Sequence, residues 1–151
     1  MEIYRIAHSS YSQLLSYGAA GRWNSSGVEV IYTASNRSLA CLEVVVHKNS
    51  DELKELFRIM VIHIPDKSFK KIDLTDLPEG WHLTDNNAYN ICRLIGNDWA
   101  VSNKSLILQV PSSIIKNETN FLINVNHDDF SKVKVTDIEP FFFDPRIKNE
   151  K

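Results

Sequence analysis

Apolar and polar positions change period several times along the chain, and each change marks an element. Ile3 to Ala7 reads as a short strand. A loop around Gly18 and Gly21 follows and ends in Arg22-Trp23-Asn24, with turn chemistry at Ser25-Ser26-Gly27. Val28 to Thr33 alternates and is rich in β-formers, so it predicts a strand. Ser35 or Asn36 can cap a helix from about Arg37 to His47. Phe57 to Ile64 is an apolar strand stopped by Pro65, and Phe69 to Leu74 predicts another. From Asn86 or Asn87, the residues Ala88, Ile91, Cys92, Ile95 and Trp99 follow helical spacing. Ser105 to Val110, Asn120 to Asn124, Lys132 to Thr136 and Phe141 to Phe143 complete the strands. Many short strands with two helices predict an α+β domain. Regular βαβ alternation is missing, so a doubly wound parallel sheet is not expected.

Composition narrows the class. At 151 residues, with 43% hydrophobic and 24% charged positions, the chain is expected to form one domain, 1–151, with an ordinary core. A net charge of -2 argues against a dedicated nucleic-acid binder. Cys41 and Cys92 sit in separate apolar stretches and read as two buried thiols, not as a disulfide framework. The N-terminal residues lack the apolar core and cleavage site of a signal peptide. No window reaches the ~20 apolar residues of a membrane span. The expected location is the cytoplasm, with no membrane contact. Lys148 to Lys151 are polar and expected to fray.

Candidate chemistry gathers around Arg22, Tyr32 and Glu43. Leu39, Leu42 and Val46 form the apolar stripe of the first helix, and Glu43 falls on or beside it. A carboxylate there is either an edge group with a partner or a cleft group serving a reaction that creates positive charge. Arg22 is either a surface arginine stacked on Trp23 or a planar group that grips a phosphate in a bidentate manner. Tyr32 should share a strand face with Val28 and Val30, as core or as a stacking surface. Pro111-Ser112-Ser113 ends a strand without a nucleophile elbow. His8, His47, His63, His82 and His127 show no metal-ligand spacing, so no metal site is expected. Lys67, Lys70 and Lys71 read as a solvated face.

Taken in order, these pieces resemble the RES family. The likeness runs from Tyr4-Arg5-Ile6 through Gly21-Arg22-Trp23-Asn24, Val30-Ile31-Tyr32-Thr33-Ala34 and Leu39-Ala40-Cys41-Leu42-Glu43. It continues through Val110-Pro111-Ser112-Ser113, Asn120-Phe121-Leu122-Ile123-Asn124 and His127 to Phe143-Asp144-Pro145-Arg146. Val125 departs from the proline of many relatives, at a turn.

The resemblance implies an ADP-ribosyltransferase-like fold: a split, mainly antiparallel sheet with peripheral helices and an NAD cleft. It implies a toxin that cleaves the nicotinamide–ribose bond of NAD, by hydrolysis or by phosphorolysis with inorganic phosphate. NAD is then the substrate, and no cofactor is required. Glu43 and Arg22 would be catalytic, and Arg22, Tyr32, Ser112 and Arg5 would bind the dinucleotide, with Ser112 fixing either Glu43 or the nicotinamide ribose. Ser113 offers a second hydroxyl beside Ser112. The implied partner is an Xre-like helix-turn-helix antitoxin that blocks the cleft, compatible with homo- or hetero-oligomers and with no direct nucleic-acid contact. Two other readings stay open: ADP-ribosyl transfer to a macromolecule, and a non-catalytic binding subunit.

Overall fold

The computed structural model describes residues 1–148; the frayed end expected at Lys148 to Lys151 lies mostly outside them. Seven strands form one sheet: β1 (Glu2–His8), β2 (Val30–Ala34), β3 (Phe57–His63), β4 (Phe69–Lys71), β5 (Ile107–Pro111), β6 (Thr119–Asn124) and β7 (Lys134–Phe141). Their spatial order is β4-β5-β6-β2-β1-β3-β7. All neighbours are antiparallel except β4 and β5, which run parallel. Two helices, α1 (Arg37–Val45) and α2 (Asn86–Ser102), complete the α+β architecture expected from the element pattern.

The sheet is unevenly joined. β1 runs beside β3 along its whole length, and β2 beside β6 along its own. Between β1 and β2 the register is a single pair, Tyr4 opposite Ala34. The sheet thus splits into β4-β5-β6-β2 and β1-β3-β7. Strand alternation puts Tyr4, Ile6, Val30, Tyr32 and Ala34 on one face.

Both helices pack on that face, one on each side of the split. α1 buries Leu39 and Ala40 against Ile6, Ala34, Phe57 and Ile59. α2 brings Cys92 and Trp99 against Trp23, Val30, Leu108 and Leu122. The opposite face is an aliphatic layer including Ile3, Ile31, Met60, Ile62 and Ile123.

Caps fix the helix starts. Asn36 accepts from Leu39 N at 2.8 Å and caps α1, and Asp85 accepts from Ala88 N at 2.8 Å and caps α2. α2 ends at Asn103 in the left-handed region, φ 51°. α1 stops two residues before the expected His47, and its buried stripe turns toward Ala40 and Val44; Val46 is 45% exposed. The last two expected strands are one, β7, which carries Pro140 and several charges along the sheet edge. An edge tolerates both, because nothing there needs the missing N–H. The parallel β4–α2–β5 crossover was hidden by the brevity of β4, three residues long. Cys92 is buried as expected, whereas Cys41 is only half-buried.

Gly96 is where α2 meets the loop before β2: a Cβ there would collide with the backbone carbonyl of Trp23. Gly96→Ala is therefore expected to cost about 2–3 kcal/mol, because backbone must move. Urea denaturation measures it. A loss under about 0.5 kcal/mol, the size of an ordinary surface change, would show that the contact yields freely.

Candidate active site

The split between β1 and β2 opens into a cavity of about 640 Å³. Its walls come from β1 (Tyr4, Arg5, Ile6), β2 (Tyr32, Thr33, Ala34), α1 (Ala40, Glu43, Val44), the Gly21–Trp23 loop, the His82–Thr84 segment, Tyr89 of α2, and Ser113, Ile114 and Asn120. A cavity of this size takes a ligand of cofactor dimensions.

Glu43 is drawn to the ends of β5 and β6. Its Oε1 accepts from Asn120 Nδ2 at 2.6 Å and from Ser112 Oγ at 3.0 Å. Ser112 is fully buried and does not line the cavity. Its hydroxyl also accepts from Ile114 N and Ile115 N, at 3.1 and 3.2 Å. Ser112 thus sits behind Glu43 and braces it, while its neighbour Ser113 faces the cavity. The local logic is plain: Pro111 ends β5, the turn brings Ser112 over its own following N–H groups, and the remaining hydroxyl proton points to Glu43.

Arg22 does not stack on Trp23, which is buried in the core beside Trp81. Its Nη1 donates to Trp81 O at 2.9 Å and Leu83 O at 3.0 Å, and its Nη2 donates to His82 O at 3.3 Å. The guanidinium carbon lies 4.5 Å from the centre of the Tyr89 ring. A guanidinium has five N–H donors. With three spent on carbonyls, the Nε–H and one Nη2–H have no nitrogen or oxygen partner among the described residues, and the buried Cys92 thiol lies within reach of the same guanidinium.

Tyr32 packs beside Val28 and Val30, as alternation predicts. Its hydroxyl accepts from Trp23 N at 2.9 Å and donates to Asn24 Oδ1 at 2.7 Å. Burial pushes this phenol far above its usual range, so it stays protonated. Asn24 in turn donates to Ala19 O and Val28 O, both at 2.9 Å. A Cβ at Gly21 would fall on the Tyr32 hydroxyl, so only glycine lets the loop approach this closely. The Tyr32 ring lines the cavity; its hydroxyl serves the loop.

Arg5 lines the cavity from β1, with Nη1 donating to Gln13 O at 3.3 Å. Burial lowers its affinity for a proton, although an arginine stays charged. The cleft therefore holds two cations and one carboxylate from the expected set.

Several residues had no assigned role in the sequence reading. Asn120 holds Glu43, and Tyr89 and His82 border Arg22. His82 Nδ1 and Asn120 Oδ1 are buried without a partner. Helical spacing could place Tyr89 beside the buried stripe of α2, but nothing local ties it to a loop 67 residues earlier. Among the described residues no three His, Cys, Asp or Glu side chains gather as for a metal ion, and no helix is long and apolar enough to cross a membrane.

Residues 2–144 match the RES domain. A Sphingobium protein named Prs ADP-ribosylating toxin is 38% identical over 130 residues, 84% of this chain and 80% of its own. A Yersinia enterocolitica protein named Toxin Res is 36% identical over 155 residues, 98% of this chain and 100% of its own. In fold, the chain matches one from the crystal structure of the M. tuberculosis MbcT–MbcA toxin–antitoxin complex. The TM-score is 0.74 at 14% identity, covering 99% of this chain and 89% of that one. The chain, matched along 2–144 and carrying Arg22, Glu43 and Ser112 around one split-sheet cleft, belongs to the RES domain family.

Proposed function

We propose that this chain is a toxin that depletes NAD by breaking the bond between nicotinamide and ribose. The observation that carries the reading is Glu43: one carboxylate at the cavity wall, with Oε1 held by Ser112 and Asn120 and no bond to Oε2 among the described residues. Cleavage of NAD sends the bonding electron pair to the pyridinium nitrogen, so nicotinamide leaves neutral. Positive charge develops on the ribose C1′ and ring oxygen. A preorganised carboxylate stabilises that charge without reorienting. Water completes the reaction as ADP-ribose and a proton; phosphate completes it as ADP-ribose-1″-phosphate.

The other residues divide the substrate among them. Arg22 offers its Nε edge to the pyrophosphate, and Arg5 adds a second positive charge. The Tyr32 ring gives the nicotinamide a flat surface. Ser112 acts through Glu43. The cleft's accessibility suits an antitoxin that closes it, and the fold neighbour's toxin–antitoxin complex supports a partner of that kind, of Xre type by family likeness. The reaction belongs in the cytoplasm, where NAD is held.

A second reading has its own support. The Sphingobium relative is named for ADP-ribosylation, and the same groups would serve if a macromolecular nucleophile took the place of water. ADP-ribose label retained on a macromolecule, and not released as a small product, would favour it.

Purified protein incubated with NAD, with and without phosphate, is expected to release nicotinamide. Equal release in both samples means hydrolysis; a phosphate requirement means phosphorolysis. Survival of NAD in both, with the protein folded, would sink the reading. Glu43→Gln keeps an oxygen for Ser112 and Asn120 but removes the charge, so the fold should persist while the rate drops at least ~10²-fold. Full activity in that variant would remove Glu43 from the reaction. Arg22→Lys, which lacks the planar fork, should weaken NAD binding about tenfold. Unchanged affinity on titration would take Arg22 away from the phosphates.

A further inference from the structure

Tyr89 and Arg93 lie four residues apart on α2 and so share a face. Both reach the segment that carries Arg22. Arg93 Nε donates to Gly21 O at 2.8 Å, which anchors the backbone immediately before Arg22. The Tyr89 ring lies under the Arg22 guanidinium, 4.5 Å from its carbon, and Arg93 is 5.2 Å from the same ring centre. One turn of α2 therefore holds Gly21 by its carbonyl and sets an aromatic ring against the Arg22 guanidinium.

We propose that Tyr89 is a positioning residue that sets the plane of the Arg22 guanidinium and so aims its unbonded Nε edge into the cavity. This rests on the reading of Arg22 as the group that binds the pyrophosphate. The carbonyls of Trp81, His82 and Leu83 fix the far edge of the guanidinium. A planar group bonded along one edge can still tilt about that edge. A ring face removes this freedom, because the aromatic quadrupole favours a cation lying over it. The same face offsets the repulsion between two arginines gathered at one ring. The interaction uses the π face and not the hydroxyl, so phenylalanine should serve as well.

The test uses Glu43→Gln protein, which should bind NAD without consuming it, and reads NAD affinity by calorimetry. Tyr89→Leu is expected to weaken binding about tenfold, while Tyr89→Phe stays within about twofold. Once Arg22 is already Lys, Tyr89→Leu should add nothing, since the two act as one unit. Unchanged affinity in Tyr89→Leu would overturn the assignment. So would a fully additive loss in the double variant, which would mean that the ring meets NAD itself. If Tyr89→Leu unfolds, Tyr89→Met, an unbranched helix former without a π face, carries the same expectation. If the Glu43→Gln protein binds no NAD at all, the substrate reading fails and this proposal with it. If that protein binds NAD and only the Tyr89 expectations fail, the substrate reading stands.

Discussion

β1 and β2 meet at one register pair, Tyr4 opposite Ala34, and then part. A sheet loses ladder hydrogen bonds wherever neighbouring strands separate, and exposed backbone must find other partners. On the other edge of β2 the pairing to β6 is reinforced: Thr33 Oγ1 donates to Phe121 O at 2.8 Å and Ser35 N to Thr119 O at 3.0 Å. Beside the gap, the Gly21–Asn24 loop closes on itself through Gly21 N and Asn24 O at 3.0 Å. Every cavity wall depends on the gap: Arg5 and Tyr32 come from the parted strands, and α1 and α2 pack on either side.

Within that gap the polar groups restrain one another. Ser112, in the turn after β5, and Asn120, in β6, fix the same oxygen of Glu43, so the carboxylate cannot swing to solvent without leaving two donors behind. Arg22 ties down three successive carbonyls of a segment that has no regular structure of its own. These restraints hold charge where it is wanted before any ligand arrives, which is the condition under which electrostatic stabilisation costs no reorganisation.

Much of this was legible in the chain. The apolar pattern located β1, β2, β3 and β6 to within a residue or two, by alternation in β2 and by an apolar run ended at Pro65 in β3, and the Ser35-Asn36 pair announced α1. The order of Arg22, Tyr32, Glu43 and Ser112 pointed to one family. What stayed hidden was tertiary. The bond from Asn120 to Glu43 spans 77 positions, and the approach of Arg22 to Trp81, His82 and Leu83 spans about 60, so no local pattern encodes either. Ser112 reads in sequence as a ligand contact or a brace; only its complete burial distinguishes the two. Two strands were expected where β7 runs unbroken, because the polar stretch Asp137–Pro140 carries no apolar pattern, and a sheet edge accepts both its charges and its proline.

The close meeting of Gly96 with the Trp23 carbonyl carries a consequence for how such a chain can change over generations. The loop bearing Arg22 and the helix bearing Tyr89 and Arg93 share a boundary with no room to spare. A lineage that enlarges position 96 must first reroute the backbone at Trp23, and that backbone carries Arg22 next to it. Drift in one segment is therefore admissible only alongside drift in the other. Substitutions near this seam would accumulate in pairs, while the aliphatic layer on the far side of the sheet can exchange Ile, Val and Leu more freely.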